Sequence, residues 1–273
     1  MKKILCVVLL VIAMNSNAQH KLEKIWATDT IVAIPESVLP ELKKTNVLYV
    51  SLIDGAGWTA DGKGGVAKLS IDGKKYDSLW ITGLNAPKGM GIVGNRLYVA
   101  DISEVVVIDM LKGKIEKKIA IDSAAGLNDI TVSDKDIVYV SDSRTAKVWR
   151  IEKDQPALYL DSMKGVNGLK AVGDDLLIGA GKNFLKADKN KNITKIVELP
   201  QSIDGIEPVG GGDYLVTSWG GYIYYVYADG KYETLLETYQ QKKNTADIGY
   251  DAATKTVYVP TFNGKQVVAY KLN

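Results

Sequence analysis

One short strand recurs six times along this chain with nearly the same letters, and that repetition limits the fold more than any other feature. The copies are VLYVS (47–51), RLYVAD (96–101), IVYVSD (137–142), LLIGAG (176–181), YLVTSW (214–219) and TVYVPTF (256–262). Aligned on Tyr49, Tyr98, Tyr139, Leu177, Tyr214 and Tyr258, they are separated by 49, 41, 38, 37 and 44 residues. A period of about 40 residues holds roughly four short strands, the unit of a β-propeller blade. Each copy is followed by a further run and turn, such as VAKLSIDGK (66–74), and then by an outer run such as YDSLWITG (76–83) or YETLLET (232–238). The sixth copy lacks an outer run, whereas LEKIWATD (22–29) has the composition of one. The expected fold is all-β, a six-bladed β-propeller closed by an N-terminal strand, which leaves no sheet edge exposed. The best helical stretch, 36–44, is interrupted by Pro40.

Residues 1–18 read as a secretory signal peptide, with Lys2 and Lys3, an apolar run from Ile4 to Met14, and Ser16-Asn17-Ala18 before the cleavage point. That run is too short for a membrane span, which needs about 20 apolar residues. Cys6 lies inside the run, not at its end where a lipoprotein anchor would place it. Cleavage leaves one propeller domain, 19–273, in the periplasm or outside the cell. The only cysteine leaves with the peptide, and 32 basic side chains then balance 32 acidic ones. Thiol catalysis, redox exchange and thiolate-bound zinc are thereby excluded, and the balance argues against a nucleic-acid partner. The only histidine, His20, is expected in a frayed terminus.

A first strand precedes each repeated strand, and in a propeller the six first strands line the central channel. Their opening residues align as Pro35-Glu36-Ser37, Pro87-Lys88-Gly89, Leu127-Asn128-Asp129, Val166-Asn167-Gly168, Ile203-Asp204-Gly205 and Ala246-Asp247-Ile248. The middle residue is polar in all six, so these side chains are expected to converge on one mouth. Taken singly, Asn-Gly and Asp-Gly are ordinary turn dipeptides. Oxygen donors from Glu36, Asn128, Asn167 and Asp204 around one axis instead make a site for one divalent cation, with Ca²⁺ preferred, Mg²⁺ or Mn²⁺ suited, and Zn²⁺ also compatible.

In chain order these motifs stand as IPESV with Glu36, GLNDI with Asn128 and Asp129, VNGLK with Asn167 and IDGIE with Asp204. Nearly all of the mature chain thereby resembles the senescence-marker-protein (regucalcin) and gluconolactonase family of six-bladed propellers. The resemblance implies a metal held by Glu36, Asn167 and Asp204, a substrate side at Asn128 and Asp129, and Asp204 as general base. The implied activity is metal-dependent hydrolysis of a small sugar lactone or related ester. A monomer with no nucleotide and no membrane span after cleavage is expected.

The chain departs from the family at Gly126, where an Arg often stands, and at Ser37-Val38, where hydrolytic members commonly carry Pro-Trp. Replacement contacts are expected on the rim, where Asp101, Asp142, Arg144, Trp219 and Phe262 follow the repeated strands. Of these, Asp142 and Trp219 are candidate substrate contacts, and Lys88 would pair with a carboxylate. The loop 54–65 is a candidate lid. Its stretch from Gly57 to Gly64 nearly fits a phosphate loop, but Gly64 stands where Ser or Thr is required and no helix is expected to follow, so no nucleotide site is read there. The alternative function is a non-catalytic binding propeller resembling the NHL-repeat class, which recognises a protein or glycan and in which any metal is structural.

Overall fold

A computed structural model describes residues 20–273; the segment 1–18, expected to be a signal peptide and carrying Cys6, lies outside them. The described residues form six four-stranded antiparallel sheets with two short 3₁₀ turns and no helix able to cross a membrane. The N-terminal strand β1 (Leu22–Ala27) pairs antiparallel with the C-terminal strand Val267–Leu272, Leu22 opposite Leu272 and Ala27 opposite Val268. The sixth blade is therefore built from both ends of the chain, and the ring has no free edge. Blade 1 runs through β2 (Pro35–Glu41), β3 (Val47–Leu52), β4 (Gly64–Ser70) and β5 (Tyr76–Leu84). The stretch with the best helical pattern is thus the inner strand β2 and the turn after it.

Six apolar clusters hold the ring, one at each seam between adjacent blades. Tyr98, Val105 and Val107 of blade 2 meet Ile130, Val140 and Trp149 of blade 3, for example, while Val38 and Val50 of blade 1 meet Tyr258 and Ala269 of blade 6. Both faces of the second and third strands of a blade are buried, which explains their continuous β-branched runs.

The registers refine the repeat. Val38 pairs with Val50 in blade 1, whereas the corresponding Ile206 and Gly249 pair with Val216 and Tyr258. Leu215 and Val257, not Tyr214 and Tyr258, are therefore the partners of Tyr49 in the repeat. A one-residue slip of this kind exchanges the two faces of a strand. The shared Tyr disguises it because both faces are apolar.

Four inner strands begin with an irregularity in the ladder, at Pro35/Val38, Pro87/Met90, Leu127/Ile130 and Val166/Leu169. The two residues skipped in each are the ones aligned from sequence, Glu36-Ser37, Lys88-Gly89, Asn128-Asp129 and Asn167-Gly168. A bulge frees side chains from the alternation of the sheet and re-aims them. In two of these strands a backbone N–H freed by it is caught by a hydroxyl of the next strand, Ser37 N–H donating to Ser51 Oγ at 2.9 Å and Asp129 N–H to Ser141 Oγ at 2.9 Å; just ahead of the inner strand of blade 5, Gly205 N–H likewise donates to Thr217 Oγ1 at 2.7 Å.

Candidate active site at the channel mouth

Four of the six polar residues that open the inner strands are almost wholly withdrawn from solvent, Glu36 at 5% exposed, Lys88 4%, Asn128 7% and Asp204 3%, while Asn167 and Asp247 are half-buried. Burying charged groups this thoroughly is costly unless each is paired or awaits a ligand. Asn167 Nδ2 donates to Asp204 Oδ1 at 2.9 Å, and Ser37 Oγ to Asp247 Oδ2 at 2.5 Å. Asn128 Nδ2 donates to Ser143 Oγ at 3.0 Å. Two buried acceptors have no donor, Glu36 Oε2 and Asn167 Oδ1.

Electrostatics follow from this crowding. Burial, reinforced by Asp247, pushes the Asp204 carboxyl up to about 7, against the pull of Asn167 and Lys88. Burial likewise raises Glu36 well above the usual carboxylate range, with Lys88 opposing and Asp204 and Asp247 adding to it. Asp247 is also pushed up to about 7 by burial, against its bond from Ser37. Burial and mutual repulsion therefore disfavour the ionised forms of these carboxyls, a condition a dication relieves. A carboxylate and an amide oxygen without donors are hard oxygen ligands, so Glu36, Asn167 and Asp204 fit a divalent cation. Among the described residues no three His, Cys, Asp or Glu side chains cluster as a metal site; the fitting donor set mixes two carboxylates with an amide.

Close packing explains the Asn-Gly and Asp-Gly pairs. A Cβ on Gly168 would lie 1.8 Å from the carbonyl oxygen of Asp204, and one on Gly205 would lie 2.7 Å from Asp247 Oδ1. These glycines let neighbouring inner strands approach at the waist of the channel, and no turn requires them.

Other expected site residues are placed differently. Asp129 has both carboxylate oxygens engaged by backbone, accepting from Ile130 and Leu169 N–H at 2.6 Å each. It clamps blade 3 to blade 4 and does not present a free carboxylate to a substrate. Asp142 is fully buried and accepts N–H bonds from Ala125, Arg144 and Thr145 at 3.0 to 3.2 Å. It braces its connecting loops, as Asp101 does in blade 2 through Asn85 and Ala86. The Asp that ends the repeated strand in both blades was the signal of this shared role. Trp219 is 47% exposed, makes an edge contact with Phe262 and lines a rim pocket with Tyr239, Asn244 and Asn263. None of the aligned channel-opening residues borders that pocket.

His20 is not frayed. Its ring stacks on Tyr225 at 3.7 Å, and Nδ1 lies 2.6 Å from Glu233 Oε1. It fastens the start of the closing strand to blade 5, among residues that do not line the channel mouth. One residue whose role sequence reasoning did not single out also belongs to the mouth. Trp58, in the loop between β3 and β4, lies over Lys88, and the Lys88 ammonium donates to the Gly57 carbonyl at 2.8 Å. Gly64 opens a strand, so the near-match to a phosphate loop has no helix behind it.

No family model and no curated protein matches the sequence. Solved structures do. A catalytically inactive histidine-to-alanine variant of virginiamycin B lyase from Staphylococcus aureus, with quinupristin, is 15% identical with a TM-score of 0.65 over 93% of this chain and 100% of its own. A streptogramin B lyase is 11% identical with a TM-score of 0.67 over 93% and 98%. A selenomethionine-substituted virginiamycin B lyase from S. aureus is 14% identical with a TM-score of 0.64 over 93% and 100%. At these identities the likeness establishes the shared six-bladed propeller fold.

Proposed function

We propose that this protein is a divalent-metal-dependent hydrolase of lactones or related esters that acts in the periplasm or outside the cell. The observation that carries the reading is the pair of buried, donorless acceptors, Glu36 Oε2 and Asn167 Oδ1, beside an Asp204 whose proton affinity is raised to about 7. Glu36, Asn167 and Asp204 are the residues that would hold the cation, which supplies Lewis-acid polarisation of the ester carbonyl when bound. Asp204, oriented by Asn167, accepts the proton of the attacking water as its oxygen bonds to the carbonyl carbon. It returns that proton to the ring oxygen as the C–O bond breaks, so water is consumed and a hydroxy acid is released. Lys88 lies close enough to perturb Glu36 and Asp204 and offsets negative charge developing at the mouth.

The fold neighbours are lyases, and one is inactive when a single histidine is replaced. Here the only histidine is tied to Glu233 and Tyr225 on blade 5, which favours carboxylate chemistry over an imidazole mechanism. Calorimetric titration with Ca²⁺, Mn²⁺ and Zn²⁺, followed by a lactone panel for each loaded form, tests the reading. Binding and turnover that both vanish in Asp204→Ala support it. Metal binding without turnover of any lactone would transfer preference to the non-catalytic binding propeller.

A further inference from the structure

The connection between β3 and β4 spans 11 residues, 53–63, whereas the corresponding connections in the other five blades have two to six. The additional residues lie over the channel mouth. The indole of Trp58 has Lys88 Nζ 4.3 Å from its ring centre and the guanidinium carbon of Arg144 at 4.8 Å. One aromatic ring thus bridges a cation of blade 2 and a cation of blade 3. Gly62 N–H adds a bond to Asn85 Oδ1 at 3.3 Å. The Arg144 stem occupies the space next to Gly126, where a Cβ would fall 2.6 Å from Arg144 Cγ. Among the described residues neither Lys88 nor Arg144 has a carboxylate within ion-pair distance.

Lys88 is only 4% exposed and is held by this loop, so a ligand reaches its ammonium only if the loop moves. Withdrawal of the loop removes the Gly57 carbonyl and the indole from Lys88, leaving the Ala86 carbonyl at 3.3 Å as its remaining hydrogen-bond acceptor. A buried ammonium so deprived needs a replacement acceptor. The arriving molecule must supply one. A carboxylate satisfies Lys88 as a point charge and Arg144 through paired N–H donors.

We propose that the mouth takes an anionic small molecule whose carboxylate, distinct from the carbonyl that reacts, replaces the Trp58 indole between Lys88 and Arg144. This rests on reading the mouth as a ligand site, and adds the ligand's charge and the residues that recognise it. The test is calorimetric binding of glucuronate against glucose and of succinate against succinamide, to wild type, Arg144→Gln and Trp58→Ala. At least one carboxylate is expected to bind wild type more tightly than its neutral counterpart. Arg144→Gln, an exposed position whose fold is checked by circular dichroism, should weaken that carboxylate about tenfold or more. Trp58→Ala should tighten it several-fold, because the indole competes for the same two cations. Equal binding of charged and neutral partners, an unaffected Arg144→Gln, or weaker binding by Trp58→Ala would each overturn the proposal. Carboxylate binding with this pattern but no lactone turnover would refute the hydrolase reading alone. Turnover of neutral and anionic lactones with equal KM in wild type and Arg144→Gln would refute this inference alone.

Discussion

The two ends of the central channel are both lined by charged side chains, yet they satisfy those charges in opposite ways. Towards the far end, Lys170 Nζ donates to Glu207 at 2.7 to 2.8 Å, a pair from blades 4 and 5 that completes itself. At the mouth, Glu36 and Asn167 each keep a buried acceptor without a donor, and Lys88 donates its hydrogen bonds to backbone carbonyls and not to a carboxylate. Asp247 stands between them, bonded to Ser37 and close enough to feel Glu207 and Lys170. The contrast teaches that buried charge alone does not mark a site. Charge with unspent hydrogen-bonding capacity does, because its desolvation cost is offset only when something from outside arrives.

Asp204→Ala is the widest break in this comparison. Loss of a metal ligand and general base together should lower lactone turnover at least about a hundredfold and abolish the rise in melting temperature caused by added cation. The protein should stay folded, since the apolar cluster that holds the seam between blades 4 and 5 does not include this side chain. An unaltered cation-induced shift in the variant would remove Asp204 from the metal set. Next in size is a pH effect of the metal-free protein. Asp204 and Asp247 are raised to about 7, so the folded state holds protons that the unfolded chain releases nearer pH 4. Between those values the native state binds more protons, and stability falls as pH rises, by on the order of a few kcal/mol in all. Added dication should flatten that slope. Thermal unfolding from pH 4 to 8, with chelator and with cation, measures both curves, and a metal-free protein that gains stability across this window would contradict the assignment.

Lys170→Met tests the opposite end. It leaves Glu207 without its partner, at an expected cost of about 2 kcal/mol, read as a lower denaturant midpoint. Turnover per folded molecule should be unchanged. Comparable loss of catalysis in Lys170→Met and Asp204→Ala would mean that the two ends act as one site.

Much of the fold was legible because a repeated strand with both faces buried keeps similar letters in every blade. The same property hid the register of blades 5 and 6, where Tyr214 and Tyr258 attract an alignment that hydrogen bonding gives to Leu215 and Val257. The mouth residues were legible as a polar position recurring among apolar ones. What Asp129 and Asp142 do was not, since their partners are backbone N–H groups, which carry no sequence letter. The Lys170–Glu207 pair joins residues 37 apart on adjacent blades, and Trp58 meets cations from two other blades. Neither contact leaves a local pattern.

The smallest expected effect concerns how the bulges that aim the mouth residues are held. Ser51 and Ser141 each accept a backbone N–H that the bulge removes from the ladder. Ser141 is fully buried, so in Ser141→Ala the Asp129 N–H loses its acceptor where water cannot replace it, at a cost of about 1 to 2 kcal/mol. Asp129 also clamps blade 4 through the Leu169 N–H, so the strain of the freed N–H is applied next to Asn128 and Asn167. Ser141→Thr keeps the hydroxyl and should restore most of the stability if the added methyl fits. The Lys170–Glu207 pair makes no hydrogen bond to Ser141 or Asp129, so Ser141→Ala should lower affinity for cation before it loosens that pair. Equilibrium unfolding and cation titration on both variants decide this, and equal stability of Ser141→Ala and wild type would show that the hydroxyl does not hold the bulge.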